Sequence, residues 1–206
     1  GIALGGSPFF YYDTDGLHVK ENTEETAKQD YVLESTKIGA LSSLELDLHN
    51  ADLQIVSGDD WSVEYVLDGE CSQPVYSVEN GTLILKEGSY LRTGYYRFGF
   101  GYGNGWMYDS ETMARSPYVK ITVPENARLD SVNISSGYGK ISIEKNLRAD
   151  SAVVYGEYGN IRLDGWTGDT LNVETEYGDL PAGTLDASEV TIRGAYASLP
   201  IDSLKA

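Results

Sequence analysis

Tyr90, Tyr95, Tyr96, Phe98, Phe100, Tyr102, Trp106 and Tyr108 crowd into one glycine-rich stretch, residues 88–117 (GSYLRTGYYRFGFGYGNGWMYDSETMARSP). Aromatic rings supply large contact area at low entropy cost, so the chemistry this segment suggests is adhesive. It would recognise a glycan or a surface protein, with Tyr95, Tyr96, Phe98, Tyr102, Trp106 and Tyr108 as candidate contact residues. The plainer reading is that the segment folds back as a cap and buries the same rings, shielding strand edges from unwanted pairing. Residues 99–105 (GFGYGNG) lack the lysine and the following helix that a phosphate-binding loop needs.

Acidic side chains are the next candidates. Glu157, Glu174, Glu176, Asp164, Asp169 and Asp179 would lie near one another if the chain winds in stacked turns, inviting comparison with the carboxylate pairs of polysaccharide-cleaving β-helices. With 32 acidic residues in the chain, such neighbours arise by chance, and no catalytic residue is assigned. Asp164, Asp169, Asp179 and Asp186 sit near turns where a hard cation could find oxygen ligands, but the glycine-rich calcium nonapeptide is absent, and turn formation explains these aspartates. Only two histidines occur, His18 and His49, in unrelated contexts, and His49 reads as an ordinary polar turn residue. Neither a metal nor a cofactor is expected. The single cysteine, Cys71, reads as a small strand-end residue and leaves the redox compartment open.

The elements that must position these groups announce themselves by repetition. Tyr138, Tyr158, Tyr177 and Tyr196 are 20, 19 and 19 residues apart, each followed by Gly or Ala. Apolar or small residues recur six, four and two positions before each tyrosine and three and five after it, as in Val132, Ile134, Ser136, Ile141 and Ile143. One more apolar residue closes each unit: Leu147, Trp166, Leu185 and Leu204. Alternation of period two means strands with one buried face, and a fixed period near twenty residues means a wound chain. The fold class is therefore all-β, a single-stranded β-solenoid, and the connection rule for parallel strands favours a right-handed coil. By the parity of the pattern the tyrosine rings should point inward at a corner and stack.

An irregular β-rich section precedes these repeats. Leu44, Leu46, Leu48, Leu53 and Ile55 form a divergent first turn with Asn50 in the tyrosine position, where a tight corner is plausible. Residues 61–67 alternate as a strand, 75–85 read as two strands joined by a turn at Glu79, Asn80 and Gly81, and 118–123 make a strand ending at Pro124. The chain thus divides into an N-terminal stalk or cap (1–40), a divergent turn with hairpin strands and the aromatic loop (41–124), and regular repeats (125–206).

Charge and termini bound the setting. Fifteen basic residues against 32 acidic ones leave a formal charge of −17, which repels nucleic acid and anionic lipid. No apolar run is long enough to span a bilayer. The start at Gly1 without methionine reads as a longer product from which an upstream anchor or signal segment has been removed, so membrane contact is expected only through that anchor.

Residues 118–180 resemble the bacterial putative adhesin family of unknown function. The matching stretches are Ile121-Thr-Val-Pro124, Gly139-Lys-Ile-Ser-Ile143, Gly159-Asn-Ile-Arg-Leu163 and Gly178-Asp-Leu180. With 44–55 and 78–85 the likeness extends over about 41–206. It implies a β-solenoid displayed outside the cytoplasm, at the cell surface or on the envelope, and brings no catalytic residues. The function expected is a noncatalytic surface module binding a glycan or protein. The alternatives are a carbohydrate-active β-helix enzyme using outward carboxylates, and a structural spacer or assembly scaffold.

Overall fold

A computed structural model describes residues 29–89 and 116–205 with their side chains, together with the backbone strands β1 (Phe9–Asp13) and β2 (Gly16–Lys20), which pair antiparallel. Among the described residues there is no helix. The other strands are β3 (Tyr31–Lys37), β4 (Ser43–Leu48), β5 (Asp52–Gly58), β6 (Ser62–Leu67), β7 (Val75–Glu79), β8 (Thr82–Lys86), β9 (Tyr118–Pro124), β10 (Leu129–Ser136), β11 (Ile141–Gly156), β12 (Ile161–Thr175), β13 (Ala182–Gly194) and β14 (Ile201–Lys205). They form one curled open sheet, wound as in a β-solenoid.

The strands β11, β12 and β13 are long because each serves two walls. Their second halves continue β10, β4 and β8 as the first wall; their first halves continue β5 and β9 as the second, which β14 extends. All these contacts are parallel and nearly in register. One column runs Leu44, Val132, Ala152, Leu171, Val190; another runs Ile55, Ile143, Leu163, Ala182, Ile201; a third runs Leu147, Trp166, Leu185, Leu204. Equivalent residues of successive repeats therefore lie on top of one another, as the twenty-residue period predicts. The core they form is fully buried from Leu44 through Leu185.

The front end is closed differently. On the second wall β6 lies antiparallel on β9 and β3 antiparallel on β6; on the first wall β7 lies antiparallel on β8. The β7–β8 connection is the expected Asn-Gly turn, with Asn80 at φ 51° and Gly81 at φ 77°, the left-handed conformations that a two-residue hairpin needs. Asn50, by contrast, is not among the residues of positive φ, so its corner is made without left-handed backbone. Where β11 bends between walls its register with β12 shifts between Ile143 and Asn146. Lys145 is buried there and donates from Nζ to the carbonyl oxygens of Val123 (3.3 Å) and Pro124 (3.0 Å). Burial holds its pKa below that of an ordinary lysine.

Candidate functional site: a tyrosine ridge beside a polar patch

Each rung turns from the first wall to the second through a short corner, and the corner is built from backbone geometry. Ser136 and Thr175, both buried, donate from their hydroxyls to the carbonyl oxygens of Gly139 (3.0 Å) and Gly178 (3.1 Å), folding the chain back within three residues. A Cβ on Gly139 would collide with the carbonyl oxygen of Ala51, one on Gly159 with that of Gly139, and one on Gly178 with that of Gly159. These glycines are required by the close approach of successive rungs. Side-chain oxygens also link the rungs: Asp52 Oδ1 accepts from Lys140 N (2.8 Å), Asn160 Oδ1 from Asp179 N (3.0 Å) and Asp179 Oδ1 from Ser198 N (3.1 Å). At the first corner the Oε2 atom of Glu87 accepts from three consecutive amides, those of His49 (2.6 Å), Asn50 (2.9 Å) and Ala51 (3.0 Å).

This scaffold stacks the four tyrosines. Backbone bonds from Tyr158 N to Gly137 O (2.8 Å) and from Tyr177 N to Glu157 O (3.0 Å) fix their spacing. The ring centroids of Tyr138, Tyr158, Tyr177 and Tyr196 are 4.9, 5.1 and 5.3 Å apart, with planes within 7° of parallel. His49 closes the ladder edge-on to Tyr138 at 5.5 Å. The stacking was expected, but the rings do not point inward. They are 46–75% exposed, because strand parity ends where the hydroxyl-closed corner begins. The result is a ridge of phenol edges and hydroxyls, with most ring faces occupied by their neighbours.

The outer face of the first wall adjoins this ridge. One outward column runs Ser43, Ser131, Ser151, Thr170, and the next has Asn133, Val153 and Asn172 at its centre. Val153 is an exposed apolar residue between the two asparagines. Ser135 and Tyr155 follow in the third column. These positions carry no charge, and charged residues bound them in the same columns: Glu45 beside Asn133, Asp47 beside Ser135, Glu174 beside Tyr155 and Glu189 beside Thr170. The patch's Tyr, Ser, Thr and Asn content is that of surfaces which bind by rigid aromatic contact and adaptable hydrogen bonding. Tyr155 ties the wall to the ridge: its Oη donates to Glu176 Oε1 at 2.9 Å, next to Tyr177. That bond, with the local carboxylates, pushes the phenol up to about 12. Tyr158 is also raised, chiefly by the charge of Glu157.

The sequence-predicted contact residues Tyr95, Tyr96, Phe98, Tyr102, Trp106 and Tyr108 lie outside the described residues. The outward carboxylates have varied partners. Asp164 pairs with Arg162 at 2.8 Å, Asp179 caps an amide, Glu176 holds Tyr155, and Glu174 and Asp169 are exposed. Among the described residues no group of three or more His, Cys, Asp and Glu side chains is placed to hold a metal. Cys71 is buried and burial pushes its thiol up to about 11, which leaves little nucleophilic thiolate. Strand parity places the ladder tyrosines in the core and so conceals the ridge as a site. The small residue after each, Gly139, Gly159, Gly178 or Ala197, with another two before, Ser136, Gly156, Thr175 or Gly194, is the available sign of a corner.

Comparison with known proteins agrees with the fold. The family model described as Toastrack DUF4097 matches residues 41–206. A crystal structure of a putative cell adhesion protein from Clostridium sporogenes superimposes with a TM-score of 0.53 at 13% identity, covering 86% of this chain and 100% of that one. A putative adhesin from Parabacteroides distasonis gives a TM-score of 0.54 at 14% identity, covering 86% of this chain and 66% of that one. At these identities the likeness shows the shared fold. No curated protein matches the chain.

Proposed function

We propose a binding function for this chain, which belongs to the Toastrack DUF4097 family: a noncatalytic, extracytoplasmic module that holds an extended glycan against the first wall and the tyrosine ridge. The observation that carries this reading is the exposed four-ring ladder standing beside a polar patch of hydroxyl and amide side chains. A flat wall of parallel strands offers hydrogen-bonding groups at every rung, one strand spacing of about 4.8 Å apart. Such a surface suits a polymer lying across several rungs better than a small molecule, which needs a concave pocket. The names of the two structural neighbours support the same direction. Tyr95, Tyr96, Phe98, Tyr102, Trp106 and Tyr108 are proposed as a second contact segment.

Glycan-array screening of the wild type against Val153→Asp and Tyr158→Ala tests the proposal, with Trp106→Ala reporting on the aromatic segment. Val153 and Tyr158 are exposed, so both variants should fold. Retention of an extended glycan by the wild type, with at least about a tenfold loss in Val153→Asp from one buried, unpaired charge, is the expected result. Glycan binding that survives both ridge and wall changes would contradict it. Capture of a surface protein with no glycan bound would move the function to protein adhesion.

A further inference from the structure

The ladder keeps phenols in contact and open to solvent at once. Tyr138, Tyr158 and Tyr177 stack at 4.9 and 5.1 Å with planes 7° from parallel, and each residue is 46–57% exposed. The backbone bonds from Tyr158 N to Gly137 O and from Tyr177 N to Glu157 O belong to the corners, so neighbouring rings are held side by side and do not depend on collision to meet. Among the described residues one other pair of tyrosines makes ring contact, Tyr65 and Tyr76 at 6.0 Å, and there Tyr65 is buried.

A phenol that loses one electron and its hydroxyl proton becomes a radical whose unpaired spin extends to the ring carbons ortho to the oxygen. Two such radicals couple by a carbon–carbon bond between ortho carbons, and the ortho hydrogens then move as protons to the oxygens and restore both phenols. The sum is two tyrosines less two electrons and two protons, which hydrogen peroxide, acting through a haem peroxidase, accepts in becoming two water molecules. Holding the reacting groups together replaces an encounter with a unimolecular step, and encounter between two chains is opposed by the −17 that each carries. Exposure lets the rings swing out of the stack until their ortho carbons meet. Glu157 stands beside the Tyr158 phenol, where its charge is the chief cause of that group's raised pKa, and its carboxylate can take the proton as the electron leaves.

We propose that the tyrosine ridge is a site of oxidative cross-linking, at which a peroxide-driven one-electron oxidant joins adjacent ladder tyrosines of one chain as dityrosine. The link staples successive rungs. Between Tyr158 and Tyr177 it closes a span of 19 residues and restricts the unfolded chain as a disulfide would. The one cysteine of this chain is buried and has no second cysteine to pair with, so its rungs cannot be stapled to one another by a disulfide. The coupling needs no glycan and is independent of the binding proposed above.

Treatment of the folded wild type with hydrogen peroxide and a haem peroxidase, followed by peptide mapping in a mass spectrometer, tests the site. The expected product is a monomer lighter by two hydrogens per link, with blue dityrosine fluorescence, a bond mapped between adjacent ladder tyrosines, and an unfolding midpoint at higher urea. Tyr158→Phe combined with Tyr196→Phe keeps four stacked rings but leaves no two adjacent phenols in the ladder. That variant is expected to lose both the mapped link and the shift in midpoint. Dityrosine that joins separate chains, or that maps chiefly to tyrosines outside the ladder, overturns the proposal. Ladder tyrosines that emerge unlinked from a treatment that couples free tyrosine overturn it equally.

Discussion

A methyl group on Gly159 and the loss of the ring from Tyr158 test opposite sides of the same corner. The added Cβ meets the carbonyl oxygen of Gly139 and must push two rungs apart, so Gly159→Ala is expected to cost about 1–3 kcal/mol, as overpacking does, measured by urea unfolding. Tyr158→Ala removes an exposed ring stacked on two others. With stacked pairs worth about 0.5–1.5 kcal/mol each, it should destabilise modestly and leave the fold intact. Tyr155 adds a titration signature. Its neutral form is held by Glu176 in the folded protein, so its stabilisation is complete below the ordinary phenol pKa of about 10. It is lost as pH rises towards about 12. Ultraviolet absorbance titration should show a late-ionising group of tyrosines in the wild type, since Tyr65, Tyr76 and Tyr158 are raised as well, with Tyr155 among them. Glu176→Gln should bring Tyr155 back to lower pH.

The corners and columns behave as units. Glu87 accepts from three successive amides at the first corner, and hydrogen bonds to charged groups are worth about 1.5–3 kcal/mol; Glu87→Gln should lower urea stability by an amount of that order. Trp166 fills the middle of a buried column, so Trp166→Ala should cost about 3–5 kcal/mol and loosen the rungs on both sides. These columns were legible in the sequence because an in-register winding makes period and position the same thing: Val132, Ala152 and Leu171 are counted along the chain and found side by side. The orientation of the tyrosines was not, since counting parity holds only inside a strand and the Ser136 and Thr175 closures interrupt it. The strands of the front end were legible as strands, and the Asn80-Gly81 turn with them. That β6 and β3 would close the second wall antiparallel depended on partners distant in sequence, which alternation alone does not identify.

At the scale of the molecule, a charge of −17 opposes compaction by self-repulsion that salt screens, so the melting temperature is expected to rise between low and physiological ionic strength. Against that charge, Asn133, Val153 and Asn172 lie side by side as a neutral strip of the first wall, with Glu45 and Thr191 next to them in the same column, and offer an uncharged polymer a footing among charged neighbours. The wall's residues were visible in the sequence as solvent-facing positions, but that Asn133, Val153 and Asn172 adjoin one another shows only once the strands are laid side by side. The most direct test of the account is to measure glycan binding and unfolding free energy together for Tyr158→Ala combined with Tyr177→Ala. A folded protein, moderately less stable, that no longer retains the glycan bound by the wild type is the predicted result. Binding unchanged in that folded variant would contradict a role for the ridge.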